Sequence, residues 1–116
     1  MTIGLIEGFY GEDWGWATRL DTLDFMVERG LSFFIYAPKG DRNLRSRWRE
    51  PHPETELEAM AAFGAACRTR GVRFGLGLTP LNLHETWDQD GRLALSERID
   101  SLGRLDLDML AILFDD

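Results

Sequence analysis

Hydrophobic and polar positions alternate along the chain between two periods. Ile3 to Gly8 and Ser32 to Ala37 are short apolar runs closed by Gly8 and Pro38, and Arg73–Leu78 and Met109–Phe114 add two more. All four read as strands, the last apolar enough to suit a parallel strand covered on both faces. Between them the spacing changes to that of helices. Trp16, Leu20, Leu23 and Val27 fall at i, i+4, i+7 and i+11, with Asp13 as the expected N-cap and Gly30 as the stop. Leu57, Met60, Gly64 and Cys67 repeat the pattern between Pro53 and Gly71, and Leu95, Ile99 and Leu102 do so before Gly103. The predicted order is βαβαβαβ.

Strand starts at residues 3, 32, 73 and 109 leave room for a helix in each crossover, as right-handed parallel units require. A doubly wound open sheet and a (β/α)8 TIM-type barrel both fit this order, and periodicity does not separate them. With 116 residues, against about 250 for a complete barrel, four strands and three helices amount to the first half of one. The expectation is a single unit over 1–116. Its first and fourth strands would carry open edges that invite self-association.

Composition narrows the partners. The formal net charge is −7 and the pI about 4.8, which argues against nucleic acid and acidic membrane surfaces. The run Arg42, Arg45, Arg47, Trp48, Arg49 is flanked by Asp41 and Glu50 and reads as a salt-bridged loop. Cys67 is the one cysteine; without a second thiol or a His at ligand spacing it reads as a small buried hydrophobe. His52 and His84 belong to no recognisable ligand spacing, so neither metal nor cofactor is expected. The chain enters a strand directly after Met1-Thr2, with no signal-like leader and no apolar stretch of membrane length. A soluble cytoplasmic protein is expected.

Ligands of parallel α/β folds sit at the carboxyl ends of the strands. Here those ends read Gly8-Phe9-Tyr10-Gly11, Pro38-Lys39-Gly40-Asp41, Thr79-Pro80-Leu81-Asn82 and Asp115-Asp116. Adjacent carboxylates on an apolar strand end repel one another, which suits general acid chemistry; a solvated strand end or a helix N-cap is the plainer reading. Lys39 is the sole lysine beside twelve arginines. It either offers an ammonium to ligand hydroxyls or is an ordinary loop charge. Gly8 and Gly11 let backbone approach a ligand beside Phe9 and Tyr10, or simply form a turn.

Taken together, Ile6-Glu7-Gly8-Phe9-Tyr10-Gly11 with Trp14 and Trp16, Tyr36-Ala37-Pro38-Lys39 with Arg47-Trp48-Arg49-Glu50-Pro51, Gly71-Val72-Arg73-Phe74, and Leu113-Phe114-Asp115-Asp116 resemble the catalytic domain of glycoside hydrolase family 84, the β-N-acetylglucosaminidases. The resemblance covers the whole chain. It implies a (β/α)8 barrel and retaining hydrolysis in which the 2-acetamido oxygen of the sugar attacks the anomeric carbon. It assigns Asp115 to the acetamido N–H and Asp116 to protonating the leaving oxygen and then activating water. Lys39 and the Gly8 backbone would bind sugar hydroxyls, with Phe9 and Tyr10 alongside. Many members carry Asp where this chain has Gly40, and a Pro-Tyr-His stretch is replaced by Arg42-Asn43-Leu44. The implied partner is a carbohydrate bearing N-acetylglucosamine. The competing reading is a catalytically silent half-barrel that binds sugar or serves assembly.

Overall fold

The computed structural model describes residues 1–115. Four strands, β1 (Gly4–Glu7), β2 (Phe33–Tyr36), β3 (Arg73–Leu78) and β4 (Met109–Ile112), alternate with three helices, α1 (Trp16–Arg29), α2 (Glu54–Thr69) and α3 (Gln89–Gly103). Two 3-10 turns, Arg42–Leu44 and Leu83–Glu85, lie in the loops after β2 and β3. The predicted order holds throughout; β3 has the predicted bounds, and the ends of β1, β2 and β4 are trimmed by one or two residues.

Local chemistry fixes the helix ends. Gly30 takes φ 74°, which only glycine adopts cheaply, and its N–H caps α1 on the carbonyls of Met26 and Val27. Pro53 precedes α2, whose first turn carries Glu54 and Glu56 against the positive end of the helix dipole. Asp88 caps α3 by accepting from the Gly91 N–H at 2.8 Å. Asp13 is not the N-cap of α1. Gly15 holds that position with no side-chain bond, and Asp13 stands instead against Gly40, where an added Cβ would lie 2.6 Å from a carboxylate oxygen of Asp13.

The strands form one parallel sheet in the order β1-β2-β3-β4. A doubly wound sheet reverses its strand order partway; this one does not. One face packs on all three helices, joining Phe34, Tyr36, Phe74, Leu76 and Leu78 to Leu23, Met26, Met60, Phe63, Leu95 and Leu102 in a single core. Sequential strands with every helix on the same side define half of a (β/α)8 barrel.

On the concave face Ile6, Ile35, Gly75 and Met109 stand in one register row. The β3 glycines are demanded by close approach. A Cβ on Gly75 would meet Met109 Cγ at 2.2 Å, and one on Gly77 would meet Ala37 Cβ at 2.7 Å and Leu113 Cδ1 at 3.1 Å. The strand covered on both faces is β3, not β4. All four β4 residues are partly exposed, because β4 pairs only with β3.

Two helices keep part of the expected apolar face, Leu23 in α1 and Leu95 and Leu102 in α3, and bury an arginine in place of an aliphatic neighbour. In α1 the buried residues are Arg19, Leu23 and Met26, leaving Leu20 and Val27 exposed. In α3 Arg98 is buried and Ile99 exposed. Cys67 is fully buried, as expected. Burial pushes its thiol up to about 11. Among the described residues no helix is long and apolar enough to cross a membrane.

Candidate active site

The carboxyl end of β1 is anchored by charge. Glu7 is 1% exposed and receives Arg19 Nε and Nη2 at 2.8 Å each, a bidentate pair of the strong, planar kind. The Arg19 guanidinium lies 4.3 Å from the Trp16 ring and 4.9 Å from the Tyr36 ring, and those rings stack 5.6 Å apart. Burial alone would lower the Arg19 pKa; the Glu7 hydrogen bonds and charge outweigh it and raise it. One buried cation thereby binds β1, α1 and β2 together, directly below Gly8 and Lys39.

Above this anchor, Lys39 Nζ sits 5.1 Å from the Tyr10 ring centroid and 3.9 Å from Asp115 Oδ2. The Lys39 side chain is 16% exposed and that of Asp115 52%. Strands β1, β2 and β4 therefore deliver an aromatic ring, an ammonium and a carboxylate to one spot. Phe9 turns aside to pack on Trp14 at 5.2 Å between centroids. Gly8 has free space: a Cβ there would make only ordinary contacts, at 3.8 Å to the Ala37 carbonyl and 3.9 Å to Ile6. Asp116 lies outside the described residues.

The loop after β2 is held by a buried polar chain that periodicity alone did not reveal. Asp41 accepts from Tyr36 Oη at 2.9 Å and from the Asn43 N–H at 3.0 Å, and His52 Nε2 lies 2.9 Å from its carboxylate. Arg98 Nη2 approaches His52 Nδ1 at 3.0 Å, while Arg98 Nε donates to the Trp48 carbonyl at 2.8 Å. A guanidinium can only donate, so Nδ1 accepts, and Nε2–H donates a hydrogen bond to the Asp41 carboxylate. Burial raises the Tyr36 pKa strongly, with the Asp41 charge and hydrogen bond adding to it. Burial lowers that of Arg98 against the pull of Asp41. The run after β2 is thus only partly the salt-bridged loop expected. Arg47 meets Glu50 at 3.8 Å, but Asp41 faces inward.

Asp41, His52 and Glu56 are the one group among the described residues close enough to share a metal ion, with ligand atoms within 4.8 Å of one another. The donor set does not favour it. A ligating Nε2 needs a free lone pair, whereas Arg98 fixes the proton there. The chain of bonds ties α3 to the loop that begins at Lys39.

A half-barrel with polar residues gathered at its strand ends is the architecture on which (β/α)8 enzymes build their sites. The chain matches the model of the beta-N-acetylglucosaminidase family over residues 3–116, and it belongs to that family, glycoside hydrolase family 84. Among relatives it is 29% identical over 114 residues to the Protein O-GlcNAcase of Rattus norvegicus and to that of Mus musculus. The alignment takes in 97% of this chain and 12% of each relative, so the chain spans a small part of their length. The solved structure of CpGH84B superimposes with a TM-score of 0.87 at 30% identity, covering 99% of this chain and 21% of that one.

Proposed function

We propose that residues 1–116 form the N-terminal half of a catalytic domain that releases β-linked N-acetylglucosamine with retention of configuration. Asp115 accepts the acetamido N–H, and the acetamido oxygen then forms a bond to the anomeric carbon as the glycosidic C–O bond breaks. Asp116 gives its proton to the leaving oxygen. Water next attacks the anomeric carbon, returning a proton to Asp116 and reopening the oxazoline ring. The sugar supplies the nucleophile, so the two carboxylates need not flank the bond as in the usual retaining pair. Lys39 and the Gly8 backbone bind hydroxyls, with Tyr10 beside the ring and Phe9 acting from its place against Trp14. The same reading keeps the chain in the cytoplasm, where a lone buried thiol such as Cys67 suits the reducing conditions.

The observation that carries this reading is the convergence of Tyr10, Lys39 and Asp115 from three strands. The experiment is a leaving-group series on the intact protein. Asp116→Asn should lose about 10²–10⁴-fold on poor leaving groups, the range of general acid–base catalysis, and far less in the first step on an activated aryl glycoside. Asp115→Asn should slow intermediate formation for every leaving group alike. Identical leaving-group dependence in both variants, or near-wild-type rates in either, would favour the silent module.

A further inference from the structure

Between positions 42 and 49 the loop after β2 carries four arginines, in a chain whose formal net charge is −7. Two of the four, Arg47 and Arg49, line one groove. Asp41 is turned inward to Tyr36 and His52. Glu50 meets Arg47 at 3.8 Å with both side chains more than half exposed, 61% and 63%, a pair that water and salt screen. The groove, of about 490 Å³, faces the loop after β3 and is lined by Arg47, Trp48, Arg49, Glu50, Asn82 and Thr86, among others, so that the exposed Glu50 is the carboxylate an incoming one would displace from Arg47. Its floor is fixed: Trp48 is 3% exposed, and its Nε1 donates to the Leu81 carbonyl at 3.4 Å. Arg49 lies over the Trp48 ring at 4.8 Å, which holds its planar fork in place.

Both walls are loops at the carboxyl ends of β2 and β3, the rim that also carries Lys39 and Asp115. We propose that this groove binds an acidic side chain of a peptide, one flanking the residue that bears the sugar. Two guanidinium forks match carboxylates bidentately. A glycan chain would be held chiefly by stacking on an open aromatic face, and here Arg49 covers that of Trp48. The proposal rests on the hydrolase reading for what brings a peptide to the rim, but the binding itself does not require turnover.

The test uses the intact protein and dye-labelled peptides in which a serine is flanked by Glu, Gln or Lys, read by fluorescence anisotropy, with hydrolysis of their N-acetylglucosaminylated forms followed in parallel. The Glu peptide should bind about tenfold more tightly than the Gln peptide at low salt, an advantage that shrinks as salt is added. The Arg47→Glu/Arg49→Glu variant, shown folded by its thermal melt, should reverse the preference towards the Lys peptide. Equal binding of the Glu and Gln peptides, an unchanged preference in the variant, or tighter binding of a uronate-containing oligosaccharide each overturns the proposal. Charge preference without hydrolysis supports the groove and removes only the hydrolase reading.

Discussion

Arg19 holds a positive charge at 3% exposure, between two aromatic rings and the Glu7 carboxylate. Neither partner tolerates the loss of the other, because a buried charge without its counterion has surrendered hydration for nothing. Arg19→Met should cost about 3–5 kcal/mol, the scale for breaking a buried pair from one side. Replacing both, as Glu7→Leu/Arg19→Met, should cost less than the single change. Urea midpoints of the three proteins check this; a double variant weaker than Arg19→Met would show that the pair contributes net stability beyond its own desolvation. The same residue shows where sequence reading stops. Lys39 could be singled out because it is the sole lysine and follows a strand, and Tyr10 because glycines bracket it. Arg19, Arg98 and His52 could not, since the groups that hold them in place across the core lie 11 to 55 residues away and no short local window contains both ends of the bond.

The same non-local bonds reappear in the elements as a shift of phase. Apolar spacing placed Leu23 of α1 and Leu95 and Leu102 of α3 in the core, where they are, but it also placed Leu20, Val27 and Ile99 there, and these give way to Arg19, Met26 and Arg98. In both helices an arginine whose charge is satisfied on a neighbouring element outcompetes the adjacent aliphatic side chain for the interior. Existence, type and order of the four strands and three α-helices were legible because runs and periods are local properties; the two 3-10 turns were not foreseen. The exact phase of α1 and the inward place of Arg19 and Arg98 were not, because they depend on what each arginine meets across the core. Strand β3 behaves in the opposite way, its constraint being steric. Gly77→Ala would drive a methyl into Ala37, just past the end of β2, and Leu113, just past the end of β4. The expected loss is about 1–3 kcal/mol, the usual range for overpacking, read as a lower thermal midpoint. An unchanged midpoint would mean that β2 and β4 can part without penalty.

At the scale of the whole molecule the decisive feature is the open sheet. Strands β1 and β4 each pair on one side only, and parallel edges of this kind recruit further strands. The 116-residue chain alone should sediment as a concentration-dependent mixture of monomer and larger species; a strict monomer with a sharp, concentration-independent unfolding transition would contradict this. The order of those strands has another consequence, one of time. Each strand docks on its immediate predecessor, and the β1–β2, β2–β3 and β3–β4 pairings never reach past the preceding unit. A chain wired in this way need not wait for a distant segment before its first contacts can form. As it leaves the ribosome, β1 can receive β2 as soon as α1 has emerged, with the Arg19 fork closing across them. The fold can therefore grow from the amino end one βα unit at a time, each finished strand serving as the template for the next.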